Sequence, residues 1–139
     1  MPSRVRLGML GADATAGAVA DLLRGGWLRL YAGARPADPD DPPRPDLGQI
    51  LLAQLRFGDP AFWATGIPGV IMATPFAEIE GAAPASGRAT WFRATTALGA
   101  TVLDGTVGRS EASLILVDPQ IPMGAEVVIE RFSYQVQEL

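Results

Sequence analysis

The chain predicts an all-β fold with one short N-terminal helix: an antiparallel β-sandwich or jelly-roll of about seven to eight strands. Three observations predict it. Between Gly87 and Gly108 the side chains alternate as a strand pair requires, with Ala89, Trp91, Arg93 and Thr95 on one face and Thr90, Phe92, Ala94 and Thr96 on the other. Turn signals recur roughly every 8–15 residues, the spacing of an all-β domain. Strands do not alternate with long helical patterns, as a parallel βαβ fold would need.

A length of 139 residues suits one domain, and an apolar fraction of 48% against 19% charged suits a folded one. Residues 1–139 are therefore expected to form a single β-sandwich domain. There is no Cys and no His, and all 11 basic residues are Arg. The chain thus lacks thiolates, imidazoles and lysine amines, the usual nucleophiles, proton carriers and metal ligands. The net charge of −4 argues against a nucleic-acid partner. Apolar runs such as Gly69 to Ala73 are far short of a membrane span. No sustained apolar stretch follows Arg4 and Arg6, so no signal peptide is expected.

Residues 1–11 read as an N-terminal arm. Asp13 reads as the N-cap of a helix over about 14–24, with Val19, Leu22 and Leu23 as its apolar face and Gly25-Gly26 ending it. Trp27 to Tyr31 is the first strand. Residues 33–48 carry five prolines and four aspartates and form a long surface loop. Gln49 to Phe57 is the second strand. Residues 58–69 are a turn-rich loop that holds Phe62 and Trp63. Val70 to Thr74 is a third strand, and residues 78–86 are a connection of small residues with little to pack. In the pair at 87–108, Ala97-Leu98-Gly99 makes a turn and Asp104-Gly105 signals a second. Ser113 to Val117 and Glu126 to Val136 are the closing strands.

Catalytic constellations are missing. No Ser has a His or Lys to activate it. Glu126 and Glu130, on one face of a strand, would sit about 13 Å apart along it, which suits solvated residues better than a glycosidase pair. Asp38, Asp40, Asp41 and Asp46 suggest calcium, but prolines stiffen the wrap that calcium needs, and a solvated acidic loop is the simpler account. No catalytic residue, cofactor or metal ligand is assigned. The candidates for protein contact are Arg4, Arg6, Phe62, Trp63, Trp91 and Arg93. Phe62 and Trp63 form an aromatic patch that suits a protein anchor, a sugar platform or a cap on the sandwich end. Trp91 and Phe92 face opposite ways, so one lies in the core and the other is covered by the helix or placed in an interface. Trp91, sharing its face with Arg93, is the interface candidate.

The order of helix, strand Trp27–Tyr31, Pro/Asp loop, the stretch from Leu51 to Gly58 and the pair Ala89–Gly108 resembles a family of small structural proteins of tailed-phage particles. Thr90-Trp91-Phe92-Arg93, Gly99, Asp104-Gly105 and Val107-Gly108 carry most of that resemblance, with LRLYAG at 28–33 and LAQLRFGDPAF at 52–62 adding to it. The loop at 33–48 is unusually rich in Pro and Asp for the pattern. The resemblance implies a non-enzymatic virion component assembled in the host cytoplasm. Its first form is a capsid cement or decoration protein: a trimer bound at local three-folds, with copies of itself and the major capsid protein as partners. A head–tail connector, neck or tail protein is the second form. The residues by themselves also allow a carbohydrate-binding adhesion module using Phe62 and Trp63.

Overall fold

The computed structural model describes residues 9–65, 70–73, 78–79, 83–109, 114–116, 118–125, 127 and 129–135. Arg4 and Arg6 lie outside them. Among the described residues the chain is mostly β with a single helix. The helix α1 runs from Met9 to Leu23, followed by β1 (Trp27–Tyr31) and β2 (Leu51–Arg56). Next come β3 (Phe62–Ala64), β4 (Val70–Ala73), β5 (Glu78–Ile79), β6 (Gly87–Arg88) and β7 (Trp91–Thr95). The last are β8 (Thr101–Gly108), β9 (Leu114–Leu116), β10 (Gln120–Ile121) and β11 (Ile129–Gln135).

Nine strands join in one sheet of order β3-β4-β11-β9-β8-β7-β1-β2-β5, and β6 pairs with β10 in a small ribbon. The sheet is mixed: β8 and β9 run parallel, with Val107 opposite Leu114, which corrects the purely antiparallel expectation. The sheet also curls. Phe62 of β3, at one end of the strand order, lies 5.6 Å ring to ring from Phe57, just past β2 near the other end. Phe132 of β11 joins both, at 6.0 Å from Phe57 and 5.7 Å from Phe62, and meets Phe92 of β7 at 5.0 Å. Burying one apolar face of a single sheet without a second sheet requires such curvature.

The inner face of β1, β2 and β7 is a continuous apolar layer. Leu28 faces Leu55 and Ala94, and Leu30 faces Ala53 and Phe92; all are buried. The helix packs on this concave side, touching β4, β7 and β8. Its buried stripe is Ala16, Val19, Ala20 and Leu23, an i, i+3, i+4, i+7 spacing. Leu22, expected on that face, is 53% exposed because it falls beside the stripe. Asp13, expected as the cap, lies inside the helix. The end is as expected: Gly25 adopts φ 64°, and the Gly26 N–H donates to Leu23 O at 2.8 Å.

Gly26 is needed for a further reason. A Cβ there would lie 2.1 Å from the carbonyl oxygen of Thr95. Gly26→Ala is expected to destabilise the fold by roughly 1–3 kcal/mol, since the helix end and β7 must separate; urea unfolding checks this.

Three local readings change in the fold. Phe62 and Trp63 are strand, not loop, because the segment pairs antiparallel with β4, placing Trp63 opposite Met72. Glu78 and Ile79 also form a strand, held against Arg56 and Leu55 of β2. Asp104-Gly105 is no turn: β8 runs straight through it, with Asp104 opposite Arg93 and Gly105 opposite Phe92.

Candidate functional site beneath the loop

The outer face of β2, β1, β7 and β8 is set by the same register, in three cross-strand rows. Tyr31, Trp91 and Thr106 form one; Gln54, Arg29, Arg93 and Asp104 form the next; Arg56, Trp27 and Thr95 form the third. Every residue of β7 is buried, so this outer face is covered as well as the inner one. The cover is the Pro/Asp loop.

Trp91 stacks on Tyr31 at 4.3 Å with the rings 14° apart, and its Nε1 donates to Ala32 O at 3.1 Å. Arg93 lies 5.3 Å from the Trp91 ring. One Arg93 guanidinium nitrogen donates to the carbonyl of Asp41 in the loop, and Nη2 donates to Asp104 Oδ2 at 3.4 Å. The two side chains are only 6% and 7% exposed. Arg35, from the loop, places Nη1 4.0 Å from the other Asp104 oxygen. One buried carboxylate therefore serves two guanidinium groups. Arg29, directly opposite Arg93 on β1, avoids the like charge by turning elsewhere: it donates to Gln54 Oε1 at 2.6 Å and lies 5.8 Å from the Trp27 ring. Arg56 covers the same indole at 4.8 Å.

The loop has its own frame. Gln49 is buried; its Oε1 accepts from Arg44 N at 2.7 Å, and its Nε2 donates to Ala34 O at 2.8 Å. Thr90 Oγ1 donates to Gly33 O at 2.5 Å. Gly33 and Gly48 both have positive φ, and a Cβ on Gly33 would fall 2.5 Å from Gly48 O, so the two ends of the loop close backbone to backbone. A short 3-10 turn, Pro45–Leu47, leads into Gly48.

On the loop's outer side is a cleft of about 470 Å³, lined by Arg35, Pro36, Asp41, Arg44, Leu47 and Gln49 among others. Arg44 is paired with Asp46 at 2.6 Å. The charged residues of the cleft's lining are Arg35, Arg44 and Asp41. Among the described residues no group of three or more carboxylates is arranged to hold a metal.

Of the six residues predicted for protein contact, Arg4 and Arg6 lie outside the described residues, and of the other four only Trp91 and Arg93 are brought together, at 5.3 Å. Phe62 is buried in the ring cluster of the core. Trp91 and Arg93 are buried, with Ala32 accepting from the indole N–H and Asp41 and Asp104 from two guanidinium nitrogens, while Arg93 Nε is buried without a hydrogen-bond partner. Trp63 is 57% exposed. Sequence reasoning missed Tyr31, Asp104 and Arg35 as partners of Trp91 and Arg93. The strand register, which sets Asp104 opposite Arg93, was the signal that could have found the pair.

Burial raises the Tyr31 phenol above its ordinary value of 10.0, against the opposing pull of Arg29 and Arg93. The neutral form is favoured in the fold, so its contribution to stability is full below pH 10 and is lost as pH rises through the folded value. Thermal melts from pH 9 upward are expected to fall less steeply for Tyr31→Phe than for the parent chain.

The chain matches no family model, and no curated protein or solved structure is similar to it.

Proposed function

We propose that this chain is a non-catalytic structural subunit of a tailed-phage particle, a cement or decoration protein on the outer capsid, with the curled sheet serving as a sandwich-like body. One observation carries the reading. The stretch in which the family resemblance is sharpest, Ala89 to Gly108, supplies the central β7–β8 ladder, and its charged residues Arg93 and Asp104 lie buried on the outer face, where Arg93 holds the loop. An ion pair so enclosed fits a structural role. A stiff, loop-clad sheet is what a shell component needs, since its work is to add buried area between capsomers. Repeated over many sites, modest contacts sum to large mechanical stability.

The test is co-sedimentation of the purified chain with empty capsids built from the shell protein of the same genome. Saturable binding at a fixed ratio to the shell protein is the expected result. A ring of six or twelve copies that ignores capsids would move the chain to the neck or tail. The exposed Trp63 keeps one other reading alive, a sugar-binding module: glycan binding lost in Trp63→Ala, with no capsid binding, would replace the structural reading with that one.

A further inference from the structure

Beyond the loop, on the outer face of β1 and β2, two guanidinium groups meet one indole. Arg56 lies 4.8 Å from the centre of the Trp27 ring and Arg29 lies 5.8 Å from it. Trp27 is directly opposite Arg56 in the register, and Arg29 is two residues along β1. Arg29 and Arg56 are therefore diagonal neighbours, about 7–8 Å apart and within reach of one ligand. All three residues are half-buried. Each guanidinium is held by its Nε: that of Arg29 donates to Gln54 Oε1 at 2.6 Å, and that of Arg56 donates to Gly25 O at 3.1 Å. Both pairs of Nη groups are left without an acceptor among the described residues, and unlike Arg93 Nε they are not sealed from solvent.

Elsewhere the arginines are paired with acid. Arg24, Arg35, Arg44, Arg93 and Arg109 each have an Asp within 4.0 Å. Arg29 and Arg56 have no such partner among the described residues, although two like charges side by side repel. Even counting Glu78, which stands opposite Arg56 in the register, the patch stays net positive on a chain of net charge −4.

We infer that Arg29, Arg56 and Trp27 form a binding site for a phosphate monoester. A guanidinium anchored at Nε presents its two Nη groups as a fork, the geometry that recognises oxyanions. Two forks call for more than a carboxylate, whose two oxygens and single charge satisfy one of them. A phosphate monoester brings three terminal oxygens and a charge of about −1.5 to −2 at neutral pH. The indole steadies both guanidinium planes by cation–π attraction. With the forks already ordered by Trp27, Gln54 and Gly25, little side-chain entropy is left for the ligand to remove. The inference stands on this patch and does not depend on the virion reading.

NMR titration of the 15N-labelled full chain with inorganic phosphate, at constant ionic strength and set against acetate, tests it. Saturable shifts are expected at the Trp27 indole N–H and at the Arg29 and Arg56 Nε–H, with acetate binding about tenfold weaker or worse. A capped phosphoserine peptide separates the sources. Tighter binding than inorganic phosphate assigns the group to a phosphorylated partner, binding no tighter assigns it to free phosphate, and either supports the site. Arg29→Gln and Arg56→Gln are each expected to weaken binding about tenfold or more, and either serves if the other does not fold. Arg56→Lys keeps the charge but loses the fork, so it too should weaken binding. Arg44→Gln, whose guanidinium pairs with Asp46 on the exposed loop, is expected to leave it unchanged. No saturable shift, acetate bound as tightly as phosphate, or an affinity indifferent to substitution at 29 and 56 would overturn the inference.

Discussion

Asp104→Ala is expected to cost about 3–5 kcal/mol of folding stability, the usual penalty for stranding a buried charge. The carboxylate sits between Arg93 at 3.4 Å and Arg35 at 4.0 Å, and neither it nor Arg93 has water to fall back on. Arg93→Met removes the other partner and should cost a similar amount. The double variant, Arg93→Met with Asp104→Leu, is expected to recover most of the loss. Two apolar side chains of similar volume need no partners, and replacing a buried pair outright is often neutral or better. The pair also positions the loop, since Arg93 donates to the Asp41 carbonyl. The double variant should therefore be stable yet open to protease within residues 33–48. Urea unfolding of the parent, Arg93→Met, Asp104→Leu and the double variant gives the coupling, and limited proteolysis reads the loop. A double variant as unstable as either single, or a loop that stays resistant, would show that the pair does not work this way.

Phe132→Ala is expected to be as damaging, at about 3–5 kcal/mol. Its ring is the one that Phe57, Phe62 and Phe92 all reach. Those rings come from β3, β7 and the end of β2, so the cavity would open where the curl of the sheet is gathered. Phe132→Leu keeps most of the volume and should lose appreciably less. Equal losses for the two variants would mean that the rings matter through their mutual geometry and not through filled space.

How far these features were legible in the sequence differs by element. Trp27–Tyr31 and Val70–Ala73 read as strands because alternation and β-branched residues act locally. The helix end read correctly because a glycine pair leaves little choice, while its start did not: an Asp that resembles a cap lies within the helix. Asp104-Gly105 read as a turn for the same kind of reason, and was strand because a buried guanidinium lies across from it. Glu78 and Ile79 gave almost no local signal and were made a strand by β2.

By itself the sequence determined a β-rich chain with one helix, a net negative charge, no imidazole or thiol, and a long Pro/Asp-rich loop. Each of those follows from composition, from a two-residue period or from proline, which act over a few neighbouring residues. Only the tertiary structure decided that nine strands form one curled, mixed sheet, that the loop folds over Trp91 and Arg93, and that Trp63 is left exposed. Those outcomes depend on which strand lies beside which and in what register. A single residue of slip would exchange the inner and outer faces of β7, sending Phe92 under the loop and Arg93 into the core.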